Sequence, residues 1–170
     1  MPKTVYKNRV FRVEKLNIRR KGKRFTQYMV NYKTPVVVIL PISGKDVIIE
    51  RQYRGALQKC LYEIPAGRVD KGESIASCAR RELIEETGYR TANLRLMLKD
   101  YPSPGIMSSM RHYSVATGLK KGRSSPNKDE DIVVKRMEMK RVVQLIKAHK
   151  ITDSKTITAI LFYNLLKNKR

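Results

Sequence analysis

Apolar positions in the first third of the chain follow the short spacing of strands. Two segments, 9–20 and 24–32, are rich in Val, Ile, Phe and Tyr and are separated by a polar turn with a glycine. The β-branched run at 36–40 predicts a strand that is buried on both faces, and Pro35 and Pro41 mark its expected limits. This part of the chain therefore predicts a sheet.

The period of the apolar positions changes to that of a helix after Ser74. Four residues fall on one arc at helical spacing: Ile75, Ala76, Ala79 and Leu83. Ser74 is a suitable N-cap because its hydroxyl can accept a backbone hydrogen bond, and Gly88 is a suitable stop. A helix is therefore predicted between Ser74 and Gly88.

The remaining segments indicate a mixed architecture. Strand-like composition recurs in VIIERQYR, NLRLMLKDY, RHYSVATGL and IVVKRMEM. Two helices follow, at about 140–149 and 153–167, and Asp153 is the expected N-cap of the second. Strands, a helix, strands and then helices predict an α+β or α/β class with a mixed sheet, in a chain long enough for one substantial core.

The charge of the chain is far from balanced. It carries 37 Lys and Arg against 15 Asp and Glu, a formal net charge of +22. Residues 1–34 hold eleven of the cations and a single acid, Glu14. Such a surface favours anionic partners such as nucleotides, nucleic acid or anionic lipid. The alternative is a solvated basic surface with no partner, because net charge alone identifies none.

Two features predict a cytoplasmic protein without a membrane partner. No apolar run approaches the roughly 20 residues that span a bilayer, and the charged start of the chain lacks the apolar stretch of a secretory signal. Cys60 and Cys78 are too few for a disulfide framework and lack the neighbours of a metal site, so two reduced thiols are expected.

Three glutamates cluster near the end of the predicted helix. Glu82 and Glu86 lie one turn apart, and Glu85 lies on the flank of the same face, within about 100° of arc. Like charges at this spacing destabilise a helix by about 0.2–0.5 kcal/mol per pair, and acids near a helix C-terminus oppose its dipole. Bound divalent cations would relieve this repulsion. The alternative is a salt-bridged surface helix, with Arg81 and Glu85 paired at i,i+4.

The glutamates belong to a longer pattern of glycines, acids and one arginine at fixed spacing. The residues that fill this pattern are Gly67, Glu73, Arg81, Glu82, Leu83, Glu85, Glu86, Gly88 and Tyr89. In order and spacing the stretch resembles the signature box of the Nudix hydrolases, with an aromatic residue in place of the final aliphatic one. Three of these residues, Gly67, Glu73 and Gly88, are expected to have structural roles.

The resemblance implies an α/β/α sandwich, with a mixed sheet between helices, that hydrolyses a phosphoanhydride. It implies that Glu82 and Glu86, assisted by Glu85 and the backbone carbonyl of Ala66, bind Mg²⁺ or Mn²⁺. It also implies that Arg81 orients a carboxylate of the box instead of touching the substrate. Such cations place positive charge on pyrophosphate oxygens and make a water nucleophilic.

Segments outside the box narrow the resemblance to the ADP-ribose pyrophosphatase branch. VVVILPI, ERQYR and LYEIPAG are similar to this branch in order and spacing, and Pro104 lies fifteen residues beyond the box. The resemblance covers about 36–166 and implies cleavage of ADP-ribose to AMP and ribose 5-phosphate. The alternatives are another nucleoside diphosphate sugar, a dinucleotide, or a basic RNA-binding or RNA-end-processing role.

The same branch implies a set of substrate-binding residues. Arg54 and Glu63 would shape the pocket, and a guanidinium suits phosphate recognition. Ser103, Pro104 and Gly105 would lie along the terminal ribose. The structural alternatives are a surface arginine and an ordinary Pro-Gly turn.

The residue that activates water departs from the family pattern. The acid that often follows the SPG segment is replaced by Ser109, which does not accept a proton at neutral pH. A later loop offers Asp129, Glu130 and Asp131. We predict Glu130 as the general base or an additional metal ligand, with an exposed loop acid as the alternative. His112 can titrate near neutrality but lies in a strand-like run and is expected to be structural.

Two regions are expected along the chain. Residues 1–34 form a strand region that, as the resemblance implies, mediates a homodimer, and residues 35–170 form the Nudix hydrolase domain. If the basic surface binds nucleic acid, the affinity is expected to fall steeply with salt.

Overall fold

The computed structural model describes residues 2–32, 34–124 and 131–167. Within these ranges it contains ten strands: β1 (Lys3–Lys7), β2 (Phe11–Arg20), β3 (Lys23–Tyr32), β4 (Val36–Ser43), β5 (Asp46–Arg54), β6 (Lys59–Glu63), β7 (Ala66–Arg68), β8 (Tyr89–Asp100), β9 (Arg111–Lys121) and β10 (Ile132–Glu138). The α-helices are α1 (Ile75–Thr87), α2 (Met139–Lys147) and α3 (Ser154–Lys167). A short 3₁₀ turn covers Gly55–Leu57.

The strands form two sheets. β1, β2 and β3 make a three-stranded antiparallel sheet, which we call the N-terminal sheet. The larger sheet has the order β10-β5-β4-β9-β8, with β6 added to β5 and β7 to β4. β4 and β9 are parallel and the other pairs are antiparallel. The mixed sheet with an antiparallel N-terminal extension confirms the predicted fold class.

Helices cover both faces of the larger sheet because β4 contributes to two apolar cores. Ile39 packs in one cluster with Leu83 of α1. Leu40, the next residue, packs in the other cluster with Val142 of α2 and Ile160 of α3. Successive side chains of a strand point to opposite faces, so a continuous apolar run is buried on both sides. The result is the layering of an α/β/α sandwich.

β4 extends beyond one of its expected limits. The strand continues through Pro41 to Ser43, so the prediction that Pro41 ends it is wrong. Pro41 cannot donate a backbone hydrogen bond, and this is tolerated here because the pairing of β4 with β5 begins only at Ile42.

α1 begins and ends at the residues that the sequence predicts. The Ser74 hydroxyl accepts a hydrogen bond from the backbone N–H of Ser77 at 3.1 Å. Gly88 has a left-handed backbone (φ 73°), and its N–H donates to the carbonyl of Ile84 at 2.8 Å. A Cβ atom at Gly88 would also approach the backbone nitrogen of Ser124 to 2.8 Å. Conformation and space therefore both require glycine here.

The two later helices lie close to their predicted positions. α2 ends at Lys147, two residues before the predicted end, and His149 has a left-handed backbone (φ 55°). Asp153 caps α3 as predicted, since its Oδ2 accepts from the backbone N–H of Thr156 at 2.9 Å. Across the described ranges the chain has no helix with the length and apolarity needed to cross a membrane.

The N-terminal sheet is joined to the rest of the protein by the loop that precedes β9. The backbone N–H of Val30 donates to the carbonyl of Ile106 at 2.7 Å, and Val30 forms a parallel bridge with Met107. The side-chain amide of Gln27 donates to the carbonyl of Gly105 at 2.6 Å. This loop, which contains the SPG segment, therefore continues the pairing of β3.

Candidate active site

The carboxylate of Glu82 lies directly over Gly67. A Cβ atom on Gly67 would come within 2.0 Å of both Cδ and Oε1 of Glu82. No side chain fits there while Glu82 keeps this position, so close approach rather than an unusual backbone angle favours glycine. β7 can thereby lie against the acidic turn of α1.

Arg81 connects the acids of α1 to the loop that precedes the helix. Its Nε and Nη2 donate to the two carboxylate oxygens of Glu73 at 3.0 and 2.9 Å. Its Nη1 donates to Glu82 at 2.7 Å and to Glu85 at 3.0 Å. Its Nη2 also reaches the carbonyl of Arg68 at 3.2 Å. Arg81 thus holds three carboxylates of the box, and its expected orienting role in catalysis stays a prediction.

These contacts fix the charge states around Arg81. Its hydrogen bonds lower the pKa of Glu73 from 4.5 to about 2, and the carboxylates raise the pKa of Arg81 above its ordinary value. Burial raises the pKa of the Cys78 thiol to about 12, and this thiol donates to the carbonyl of Arg68 at 3.3 Å. Cys78 is therefore an uncharged packing residue, and Cys60 is also a free thiol.

Glu86 is held by the strand on the other side of α1. Its Oε2 accepts a hydrogen bond from the backbone N–H of Ala66 at 2.9 Å, and its side chain is buried. Ala66 therefore contacts the acidic cluster through its amide. Its carbonyl as a metal ligand stays a prediction.

The donor set of this region fits a divalent cation. Carboxylate oxygens are the hard ligands that Mg²⁺ prefers, and the cleft is lined by Glu82 and Glu85. In the described part of the chain, no three acidic, His or Cys side chains already converge on one point, and Arg81 draws two of the carboxylates to itself. A cation bound here would compete with Arg81 for these oxygens. Glu82, Glu85 and Glu86 are the residues that would hold it.

On another part of the cleft wall, a buried carboxylate accepts hydrogen bonds from two basic side chains. Glu63, which is 1% exposed, accepts from Nε and Nη2 of Arg54 at 2.7 and 2.6 Å and from Nζ of Lys155. Burial opposes ionisation of Glu63, but the hydrogen bonds and positive charges of these two partners lower its pKa overall. Lys155 also pairs with Asp153 at 3.1 Å. Arg54 and Glu63, both predicted from the sequence, therefore form one unit.

Arg111 is held in the same way at the start of β9. Its Nε and Nη2 donate to the two oxygens of Asp100 at 2.8 and 2.6 Å, and its Nη1 donates to the hydroxyl of Ser154 at 3.3 Å. Ser109, two residues earlier, is 7% exposed, and its hydroxyl has no hydrogen-bond partner among the described residues. Both Ser109 and Arg111 line the cleft.

These groups share a cleft of about 700 Å³, within the range of small-molecule sites. Its lining includes six of the residues predicted from the sequence: Arg54, Ala66, Gly67, Arg81, Glu82 and Glu85. Three others, Glu63, Glu73 and Glu86, are hydrogen-bonded to residues of this lining.

The SPG segment lies beside the cleft rather than along it. The carbonyl of Ser103 accepts from the backbone N–H groups of Ile106 and Met107 at 3.1 and 2.8 Å, which closes a turn. Pro104 and Gly105 line a separate cavity of about 320 Å³ against the N-terminal sheet. Contact of these residues with a terminal ribose stays a prediction.

The predicted water-activating loop is only partly described. Glu130, our candidate base, and Asp129 lie outside the described residues. Asp131 precedes β10, and its carbonyl accepts from the backbone N–H of Tyr53 at 3.4 Å. His112 lies within β9, where burial and the charge of Lys99 lower its pKa.

Two cleft residues, Lys155 and Arg111, are not predicted from the sequence. Lys155 directly follows the first residue of α3, and Arg111 is the first residue of β9. A basic residue beside a helix cap or a strand start is common in so basic a chain. What distinguishes Lys155 and Arg111 from other basic residues is the acid that each one contacts, Glu63 and Asp100. Those acids come near them only when the chain folds.

Comparisons with known proteins agree with this geometry. A family model described as a NUDIX domain matches residues 32–159. The chain is 35% identical over 146 residues to the methanol dehydrogenase activator of Bacillus methanolicus, and 32% identical over 146 residues to the ADP-ribose pyrophosphatase of Bacillus subtilis (strain 168). Each alignment covers 85% of this chain and 79% of the relative.

A further relative and a solved structure are also similar to this chain. The chain is 31% identical over 138 residues to the GDP-mannose pyrophosphatase of Salmonella arizonae, with 76% of this chain and 72% of that protein covered. A crystal structure of an ADP compounds hydrolase superposes with a TM-score of 0.88 and 24% identity. It covers 99% of this chain and 93% of that one, which confirms the fold.

The family model covers most of the chain, and its range includes every position of the box. The structure places Gly67, Arg81, Glu82 and Glu85 of the box in one cleft, on an α/β/α sandwich. The resemblance noted in the sequence is therefore confirmed, and the chain belongs to the Nudix family.

Proposed function

We propose that this Nudix hydrolase cleaves the pyrophosphate of ADP-ribose, with Mg²⁺ or Mn²⁺, to give AMP and ribose 5-phosphate. The observation that carries the proposal is the composition of the cleft. Box carboxylates for a cation and three held cations, Arg54, Arg111 and Lys155, line the same 700 Å³. The anionic oxygens of a pyrophosphate diester suit both the three basic side chains and a divalent cation held by the carboxylates.

We assign a role to each of the three basic side chains. Arg54 donates Nε and Nη2 to Glu63, and its Nη1 is the group that we assign to a substrate phosphate. Lys155 and Arg111 are fixed by buried or half-buried carboxylates, so they are already oriented when substrate arrives.

The acidic side of the cleft supplies the cation site. A bound Mg²⁺ would withdraw charge from the phosphate oxygens and lower the pKa of a water. Arg81 keeps Glu82 and Glu85 near each other before the cation binds, since its Nη1 bridges them. Glu130 is retained as the proposed base, because Ser109 replaces the acid near the SPG segment.

The choice of ADP-ribose rests on the relatives and on the sequence around Pro104. One relative is an ADP-ribose pyrophosphatase at 32% identity and another is a GDP-mannose pyrophosphatase at 31%. These identities are too close to rank the two substrates. Pro104, fifteen residues beyond the box, favours ADP-ribose.

The test measures AMP release from ADP-ribose in the presence of Mg²⁺, with GDP-mannose and dinucleotides in parallel. Glu86→Gln should lower kcat by more than about 100-fold, since even outer-shell changes at a metal site cost 10–100-fold. Glu138→Gln, on the half-exposed ion pair with Lys45, is the matched control and should stay active.

Each outcome of this test is decisive. AMP release that requires Glu86 supports both the cation site and the substrate. Faster Glu86-dependent cleavage of GDP-mannose keeps the hydrolase and replaces the substrate. Equal activity of the two variants contradicts the assigned site.

A further inference from the structure

Residues 63–66, which we call the crossing segment, pass from β6 to β7 and reach both sides of the cleft. β4 and β5 pair with each other only next to the turn that joins them, and beyond it β6 adds to β5 and β7 to β4. At one end of the segment, Glu63 accepts two hydrogen bonds from Arg54. At the other end, the backbone N–H of Ala66 donates to Glu86 at 2.9 Å. A displacement of the segment would therefore disturb the basic side chains and the box carboxylates together.

The backbone in the middle of the crossing segment is bonded by α3 as well as by a strand. The N–H of Ile64 donates to the hydroxyl of Thr156 at 3.0 Å, across 92 positions of the sequence, and both residues are buried. Buried backbone N–H groups nearly always have a partner, and here a side chain supplies it. The next carbonyl, that of Pro65, accepts from the N–H of Ile39 in β4 at 2.8 Å. α3 and β4 thus hold the segment from two sides.

The direction of the Thr156 hydroxyl is fixed by Asp153, the N-cap of α3. Its O–H donates to Oδ2 of Asp153 at 2.6 Å, and the backbone N–H of Thr156 donates to the same oxygen at 2.9 Å. A hydroxyl has one hydrogen and a carboxylate only accepts, so a lone pair of the Thr156 oxygen is left for the N–H of Ile64. The first turn of α3 therefore presents an oriented acceptor to the crossing segment.

We propose that Thr156 is a positioning residue of the hydrolase, a role that rests on the proposed function. Its hydroxyl sets the place of the Ile64 backbone, and the crossing segment carries that constraint to its two ends. Three residues of extended chain span at most about 10 Å, so Glu63 and Ala66 both lie close enough to move with Ile64. Thr156 is fully buried, so it acts through the main chain and not by contact with the substrate.

The first test compares variants of Thr156 that differ in the hydroxyl. Thr156→Val puts a methyl group in place of the hydroxyl and keeps the shape of the side chain. It should lower kcat/KM for ADP-ribose by about 10- to 100-fold, the usual effect of losing a partner that lies behind a metal-site residue. Thr156→Ser keeps the hydroxyl and should retain most of kcat/KM. Should Thr156→Val not fold, Thr156→Ala against Thr156→Ser makes the same comparison, since these two differ only in the hydroxyl.

Thr91→Val is the matched control. The Thr91 hydroxyl contacts the carbonyls of Asn93 and Thr117 at 2.8 and 2.7 Å, on β8 and β9 and outside the cleft. This variant loses side-chain hydrogen bonds to the backbone, as Thr156→Val does, but should keep the kcat/KM of the wild type. Each variant is assayed where circular dichroism shows it to be folded, so that lost stability cannot account for lost activity.

A second test needs no substrate. Isothermal titration calorimetry should show about tenfold weaker Mg²⁺ binding by Thr156→Val, because the displaced N–H of Ala66 no longer holds Glu86 in place. Thr156→Ser and Thr91→Val should bind Mg²⁺ like the wild type. This measurement separates the two proposals. If the wild type releases no AMP from ADP-ribose, the proposed substrate is wrong, and weaker Mg²⁺ binding by Thr156→Val still supports the role of Thr156.

Either of two results would overturn the proposal. One is a Thr156→Val variant with the kcat/KM and the Mg²⁺ affinity of the wild type. The other is an equal loss in Thr156→Ser and Thr156→Val, which would mean that the hydroxyl does not position the crossing segment.

Discussion

Glu82 occupies the volume that a side chain on Gly67 would need, with its Cδ 2.0 Å from the point where a Cβ would lie. The obstructing atoms are the end of a flexible side chain, so an alanine at this position would push the carboxylate aside more readily than it would unfold the protein. Gly67 is therefore needed for the position of the Glu82 carboxylate more than for the free energy of unfolding.

Gly67→Ala is accordingly expected to reduce kcat by about 10²-fold, the effect of misplacing a catalytic group by about 1 Å. The midpoint of thermal unfolding should change little. Gly55→Ala is the control, because its added Cβ meets no atom within 4 Å. Equal loss of activity in both variants would contradict the role given to Gly67.

Cation binding should be visible without any substrate. A ligand at 100 times its Kd stabilises the folded state by about 2.7 kcal/mol, which for a chain of this size raises Tm by about 5–10 °C. We expect excess Mg²⁺ to produce such a rise in the wild type and a much smaller one in Glu82→Gln. Differential scanning calorimetry with Mg²⁺ or EDTA measures both. An identical rise in the two proteins would place the cation elsewhere.

The buried carboxylate of Glu63 should be a large contributor to stability. Glu63→Gln removes the buried acid partner of Lys155, whose side chain is 12% exposed, and leaves it only Asp153; breaking a buried pair costs up to about 3–5 kcal/mol. Urea unfolding gives the free energy. The double variant Glu63→Gln/Lys155→Met should recover part of the loss, because the buried ammonium that lost its Glu63 partner is also removed. Strictly additive losses would contradict this coupling.

The pair of Glu73 and Arg81 predicts a pH dependence. Hydrogen bonding from Arg81 lowers the pKa of Glu73 from 4.5 to about 2. A carboxyl whose pKa is lowered on folding stabilises the folded state above its unfolded pKa, and this contribution is lost as the pH falls from 4.5 towards 2. Over that window the free energy of unfolding should fall more steeply for the wild type than for Glu73→Gln. Parallel curves would show that the pair contributes nothing.

Ser109 should matter for substrate and not for folding. Its hydroxyl is buried without a hydrogen-bond partner among the described residues, so Ser109→Ala should leave stability unchanged or raise it by up to about 1 kcal/mol. If the hydroxyl contacts the bound substrate, KM for ADP-ribose should rise while Tm does not fall. Ser109→Cys, of similar size, is the comparison. An unchanged KM would exclude this contact.

Much of the site is predictable because its signals are local. Ser74 and Gly88 bound α1 through contacts within four residues, and the periodicity of the helix places Glu82 and Glu86 one turn apart. The pairing of Arg54 with Glu63 is less local, but the family resemblance points to both. The structure of α1 is therefore determined by residues that are close together in the sequence.

The rest depends on partners that are distant in sequence. Lys155 meets Glu63 across 92 positions, and Pro41 is accommodated by the place where β5 begins its pairing. The SPG segment looks like a substrate loop, yet β3 hydrogen-bonds to it and turns Pro104 and Gly105 towards the N-terminal sheet. Only the assembled fold contains this information.

The contacts between β3 and the loop before β9 limit which segments of this protein can be exchanged with those of a relative. The family model begins at residue 32, after almost all of β3, which would suggest a modular boundary there. Val30 nevertheless holds the carbonyl of Ile106, so the two segments share one backbone ladder. The side chains of the two segments also line one cavity, with Leu16 and Met29 on the sheet and Ile106 on the loop. A chimera that takes residues 1–34 from a relative is therefore expected to need residues 101–110 from the same parent.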